Sequence, residues 1–214
     1  MPHVGKGKQK AIGAWGKDST YAELLEKKFK RIGDLLMEIQ VSMRNYFELR
    51  LQRYNEGVNF LFTTEYNQKV ASIIYQGEIN DDGEIGWKPV VKNETHSLDA
   101  LEEKFNCKFY TSIYDYFNSY WFADLDGFID GRYINLEPVL PGMELNSFEK
   151  KLQGYKNNHK NKLEYVPIGI EGNGLVVVVN NHNGKVELED FERGEFTVLS
   201  NNLVEFISSL KMKK

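Results

Sequence analysis

Two aspartates one residue apart, Asp124-Leu-Asp126, are the most chemically suggestive pair in this 214-residue chain. Carboxylates at that spacing present hard oxygen ligands to Mg or Mn, the arrangement a metal-dependent sugar or nucleotide transferase uses. Such an enzyme also needs a strand, a glycine-rich turn and a helix to cradle phosphates, and no such pattern precedes the pair. Gly16-Lys17 fails as a phosphate loop for a related reason. A Walker loop needs a glycine five residues before the Gly-Lys pair, and Ala11 stands there with no strand leading in. The histidines His3, His96, His159 and His182 fall in arms or loops, and there is no Gly-x-Ser-x-Gly elbow. The single cysteine, Cys107, has no His or second Cys at metal-ligand spacing and no internal disulfide partner. No catalytic residue, metal ligand or cofactor is assigned, and the chain reads as a protein that is not an enzyme. A transferase using Asp124 and Asp126 is kept as an unfavoured alternative.

A second pattern suits binding better than catalysis. Residues 108 to 130 are crowded with Phe, Tyr and Trp, and between residues 110 and 145 the acids Asp115, Asp124, Asp126, Asp130, Glu137 and Glu144 face only Arg132. Aromatic side chains supply large rigid anchors, and carboxylates beside them steer a cationic partner. Asp115, Tyr116, Tyr120, Trp121, Asp124, Asp126 and Asp130 are accordingly the expected partner-binding residues, with whichever of the three aromatics is exposed acting as the anchor. The competing account makes the aromatics core and the carboxylates the wet side of strands.

Charge distribution agrees with a basic partner. The net charge of -4 divides into +4 over residues 1 to 56 and -8 over the remainder. An acidic body does not neutralise phosphates, so nucleic acid is not expected as the direct partner. No apolar run approaches the length of a membrane span, and the N-terminus lacks the apolar core of a signal peptide. A cytoplasmic location is expected, peripheral at the membrane only through the partner.

These residues need elements to hold them. Residues 1–19 mix glycine with lysine without periodicity and read as a flexible basic arm; residues 20–214 read as one domain. Thr20-Tyr-Ala-Glu23 is a capping box, and Leu25, Phe29, Ile32, Leu36, Ile39, Met43 and Tyr46 form the stripe of one long helix ending near Asn55-Glu-Gly57. Strands are predicted over Val58 to Thr63, Ala71 to Gln76, Ile85 to Val91 with Pro89 marking an edge or interruption, and Tyr133 to Leu140. Ser97 caps a short helix over Leu98, Leu101 and Phe105, and Asn146 or Ser147 opens a lysine-rich helix. Tyr165 to Glu171 and Leu175 to Val179 form the central hairpin, followed by strands at Val186 to Glu189 and Phe196 to Leu199. A capped helix over Leu203, Val204, Phe206, Ile207 and Leu210 closes the fold, whose class is α+β: a mixed or antiparallel sheet with helices packed on it.

Three phrases then become distinctive: Phe148-Glu-Lys-Lys-Leu-Gln-Gly154, Val179-Asn-Asn-His-Asn-Gly-Lys-Val-Glu-Leu-Glu189 and Leu199-Ser-Asn-Asn-Leu-Val-Glu-Phe-Ile207. With weaker echoes at Gly86-Trp-Lys-Pro89 and Phe109-Tyr-Thr-Ser112, they make roughly residues 45 to 210 resemble the Syd family. Those are the SecY-interacting proteins of the SUKH superfamily, which also holds many bacterial toxin-immunity proteins. The resemblance implies a sheet cupped by helices, no enzymatic activity and a concave acidic face for a basic protein. The leading expectation is an immunity protein that covers the active site of a basic toxin domain. The alternative is a peripheral regulator docking on cytoplasmic loops of the SecY translocon.

Overall fold

A computed structural model of the chain describes residues 38–212. The expected arm at 1–19, the capping box at Thr20 and the stripe from Leu25 to Leu36 lie outside the described residues. Helix α1 runs over 38–55 and stops before Gly57, whose φ of 104° no side-chain-bearing residue adopts easily. Ile39, Met43, Tyr46 and Phe47 are buried along one face, as the heptad spacing predicts. Arg50 continues that stripe and is buried too.

Three short strands come next: β1 (Thr63–Glu65), β2 (Tyr75–Gln76) and β3 (Glu84–Trp87), ordered β1-β3-β2. The predicted strands at 58–63 and 71–76 instead begin as 3-10 turns, Asn59–Phe62 and Ser72–Ile74, so only their last residues reach β3. Pro89 interrupts the next strand as expected, and β4 (Val90–Val91) resumes to pair with β5 (Tyr120–Trp121). Between them stand α2 (Asp99–Phe105) and α3 (Thr111–Phe117). Ser97 Oγ accepts from the Asp99 amide at 3.0 Å, but the N-cap position of α2 is Leu98, one residue later than the expected Ser97.

The main body is a six-stranded antiparallel half-barrel ordered β11-β10-β9-β8-β7-β6. Its strands are β6 (Asp126–Ile129), β7 (Arg132–Leu136), β8 (Tyr165–Glu171), β9 (Val176–Asn180), β10 (Val186–Asp190) and β11 (Glu195–Ser200). Helix α4 (Glu144–Asn158) links β7 to β8, and α5 (Leu203–Ser209) follows β11. α4 begins two residues before Asn146, and α5 is capped as predicted, with Asn202 Oδ1 accepting from the Glu205 amide at 2.8 Å. The hairpin β8-β9 is central, while β11 is an edge. The class is α+β, with antiparallel sheets and five helices among the described residues.

Directly opposed residues of antiparallel strands share a face, so register fixes what each face carries. One row runs Leu136, Gly169, Val177 and Leu188, and its side chains are buried. The adjacent row runs Asp126, Asn135, Ile170, Val176, Glu189 and Phe196 from edge to edge. One apolar cluster joins α1, the buried row, Phe148 and Leu152 of α4, and Leu203, Phe206 and Ile207 of α5. Ser42 Oγ lies 2.9 Å from Ser208 Oγ, which ties α1 to α5.

Candidate protein-binding face

The aromatics singled out as anchors are inside. Tyr116 is 0% exposed and donates from its hydroxyl to the Glu137 carbonyl at 2.6 Å. Tyr120 packs on Phe47 with ring centroids 5.5 Å apart, and Trp121 lies beneath the Lys92 ammonium at 3.5 Å. None of the three is a surface anchor, which corrects the expectation. Too many aromatics fall in one short stretch for all to face water, and burying each ring is worth ~1.5–3 kcal/mol. Tyr120 alone of them contributes to a cleft, about 690 Å³, whose apolar wall includes Phe47, Leu51, Tyr54, Phe62 and Trp87.

The acidic residues are largely committed as well. Asp115 is buried on α3, and burial pushes its carboxyl up to about 7. Glu137 pairs with Lys151, and Glu144 with His96 Nδ1 at 2.6 Å. Asp126 pairs with Arg50 Nη1, while Arg50 Nη2 reaches Asp124 at 3.8 Å. The guanidinium is fixed from the other side as well: Nε donates to the Leu61 carbonyl at 2.7 Å and Nη1 to the Tyr46 hydroxyl at 2.8 Å. That hydroxyl donates to the Asp126 carbonyl and accepts from its amide, at 2.8 and 2.9 Å. The Tyr133 hydroxyl donates to Asp126 Oδ2 at 3.0 Å, and burial together with Asp126 pushes its own proton affinity up to about 12. Burial also raises the Asp124 carboxyl above its ordinary range, against the opposing pull of Arg50.

The two aspartates that could have been metal ligands are thus the counter-ions of a buried arginine. Sequence inspection missed Arg50, although a cation in the apolar stripe of α1 was the available signal: a buried charge needs a partner. Among the described residues, no group of three or more His, Cys, Asp or Glu is placed to hold a metal. Cys107 is half-buried, and burial with the Glu102 charge raises its thiol, the opposite of activation. Only Asp130 of the predicted set stands fully exposed, at the tip of the β6-β7 hairpin with φ of 49°.

What the fold does expose are apolar side chains on the face that carries the row beginning at Asp126. Ile170 is 50% exposed, Tyr133 39%, Phe196 37% and Val198, on the same side of β11 as Phe196, 52%. Tyr165 stacks on Phe196 with centroids 4.2 Å apart. Asp126 stands at one end of this surface, and Glu187 and Glu189 lie buried beneath its β10–β11 part. Glu187 accepts from Asn180 at 3.1 Å, and Glu189 Oε1 meets His159 Nε2 at 2.5 Å. A pocket of about 390 Å³ opens between Tyr155, His159, Tyr165, Glu189, Phe191 and Phe196. Apolar and aromatic anchors between carboxylates are the composition of a protein interface, with different residues from those predicted.

Comparison with known proteins follows the same lines. The profile of the family described as Syd protein (SUKH-2) matches residues 40–212. Protein Syd of Idiomarina loihiensis is 26% identical over 163 residues, covering 74% of this chain and 88% of that protein. Protein Syd of Aliivibrio fischeri is 26% identical over 137 residues, 61% of this chain and 73% of its own, and that of Pseudoalteromonas translucida 26% over 140 residues, 64% and 78%. Since the profile spans most of the sequence, from α1 to the residues beyond α5, the chain belongs to the Syd family.

Proposed function

We propose that this chain is a non-enzymatic protein-binding module that docks on basic cytoplasmic loops of the SecY translocon, working at the cytoplasmic face of the membrane through that partner. Membership of the Syd family, whose resemblance implies SecY as partner, supports the choice. The observation that carries it is the half-exposed apolar face made by Tyr133, Ile170, Phe196 and Val198, with Asp126 at its β6 end. Apolar contacts of that kind hold a complex, and the acidic body accelerates encounter with a cationic loop. No helix among the described residues is long and apolar enough to cross a membrane.

A second reading, neutralisation of a basic toxin domain, draws support from the SUKH-2 description of the matched family. One set of measurements separates the two. Peptides spanning the SecY cytoplasmic loops, a composition-matched scrambled basic peptide and a basic nuclease toxin domain are titrated against the full chain and against Ile170→Asp. The SecY loops are expected to bind the wild type at least tenfold more tightly than the scrambled peptide, and to lose about tenfold or more in Ile170→Asp, the scale of a hot-spot loss. Equal affinity for loops and scrambled peptide overturns the SecY reading, and tight capture of the toxin domain alone installs the second one.

A further inference from the structure

The two edges of the six-stranded sheet are treated differently. At β6 the edge is closed: Phe128 exchanges backbone hydrogen bonds with Lys211 at 2.8 and 3.1 Å, and the Tyr46 hydroxyl satisfies both the amide and carbonyl of Asp126. At β11 nothing among the described residues pairs with the outer side of the strand. Residues 191–198 are all exposed, so both faces of β11 meet water along most of its length. Unpaired strand edges are adhesive, and proteins blunt them with lysine, proline, a covering segment or a short length. Glu195–Ser200 has six residues, no lysine and no proline.

The strand and its flanking residues carry an acidic excess, although Lys160 and Lys162, the latter paired with Glu164 at 3.4 Å, line the pocket beside Phe196. From residue 186 to 205 the chain carries Glu187, Glu189, Asp190, Glu192, Glu195 and Glu205 against the single Arg193, which is itself paired with Asp190 at 3.5 Å. On one side of the strand, Phe196 forms a wall of the pocket that also holds Tyr155, Tyr165 and the buried Glu189. An occupant of this edge therefore needs free backbone donors and acceptors, positive charge, and alternate side chains able to enter an aromatic pocket.

We propose that the outer edge of β11 receives an extended, basic segment of the partner protein as a seventh strand. The proposal rests on the reading of the partner as a cationic loop and supplies its mode of attachment. Main-chain hydrogen bonds to Glu195–Ser200 give affinity in a sequence-tolerant way, and Lys or Arg in the added strand meets the exposed carboxylates of Glu192 and Glu195. Side chains on alternate positions of the added strand lie beside Phe196 and Val198, next to the pocket.

Amide hydrogen exchange on the full chain tests this, with two probes: the SecY cytoplasmic-loop peptides, and a ten-residue alternating Lys-Val peptide together with its N-methylated form. The outward-facing amides of β11, those that do not bond β10, are expected to exchange freely in the dilute chain and to slow at least tenfold with either unmethylated probe. N-methylation at alternate residues is expected to abolish binding. Val198→Lys, at a half-exposed position of the same edge, places charge there while leaving the Phe196–Tyr165 stack and β10 pairing intact, and is expected to lose tenfold or more in affinity with an unchanged unfolding midpoint. Loop peptides that bind without slowing β11 overturn strand addition and leave the SecY reading standing. Protection of β11 by the Lys-Val peptide with no response to SecY loops keeps strand addition and removes that reading. Three outcomes overturn the proposal outright: outward-facing β11 amides already protected in the dilute chain, protection of them that grows with protein concentration and no probe, or binding of neither probe.

Discussion

Asp115 is an acid placed where its charge is unwelcome. Burial alone pushes its carboxyl up to about 7, against an ordinary value of about 3.9. A carboxyl that binds its proton more tightly when folded contributes stability that is complete below pH ~4 and is lost as pH rises through about 7. Asp115→Asn stays neutral throughout. Thermal unfolding of the two proteins is expected to coincide near pH 4 and to separate as pH rises, with the variant a few degrees higher at pH 8, since ~1 kcal/mol moves a protein of this size by about 2–4 °C. Parallel curves would show that the native state accommodates the charge. Nothing around Asp115 in the sequence marks it as buried: it sits among aromatics as Asp124 and Asp130 do, and three environments emerged from one pattern. The carboxylates were legible as a group. Their individual fates depend on cations at distant positions, Arg50 for Asp124 and Asp126, Lys151 for Glu137.

At the scale of elements, the turn between β9 and β10 does more than reverse the chain. Asn180 Oδ1 accepts from the amides of His182 and Asn183 at 3.0 and 3.3 Å, holding the loop in shape. Asn181 then reaches the start of α3, accepting from the Tyr110 amide and donating to the Lys108 carbonyl, both at 2.6 Å. Gly184 has φ of 77°, and the Tyr110 ring occupies the space a Cβ would take. Gly184→Ala is expected to cost roughly 2–4 kcal/mol in urea unfolding, from left-handed strain and overpacking against that ring. A loss under about 0.5 kcal/mol, the range of an indifferent surface site, would mean that Tyr110 does not pack on the turn. The turn is legible in Asn-Asn-His-Asn-Gly between two apolar runs, β8 in its short β-branched run, and β10 and α5 in their periods. α3 is not, because Ile113, Asp115, Tyr116 and Phe117 are all buried and leave no amphipathic stripe to read. The strand expected at 133–140 ends at Leu136, and the stretches expected as strands at 58–63 and 71–76 are mostly 3-10 turns, since apolar content is local but pairing depends on the partner strand.

For the molecule as a whole, the acidic excess that pointed to a basic partner survives, but its location moves. Replacing Asp124, Asp126 and Asp130 together would not isolate steering, because two of them neutralise a buried guanidinium, and stripping counter-ions from such a group destabilises by about 3–5 kcal/mol. Charges suited to the test are exposed and free of such duty: Asp130 at the hairpin tip, with Glu192 and Glu195 near the open edge. Asp130→Asn with Glu192→Gln and Glu195→Gln keeps size and most hydrogen bonding while raising net charge by three. Folding is expected to remain within about 0.5 kcal/mol of wild type, as for surface substitutions generally. Association with the SecY-loop peptides is expected to slow several-fold at low salt, and wild-type and variant rates to converge as salt rises and screening shortens to about 8 Å at physiological ionic strength. Dissociation should change little, because rim charges act mainly on encounter while Ile170, Tyr133 and Phe196 hold the bound state. Stopped-flow kinetics across a salt series reads both rates. A wild-type association rate indifferent to salt, or a triple variant that associates as fast as wild type in dilute buffer, would mean that the field around β11 and the β6-β7 hairpin does not guide the partner to this face.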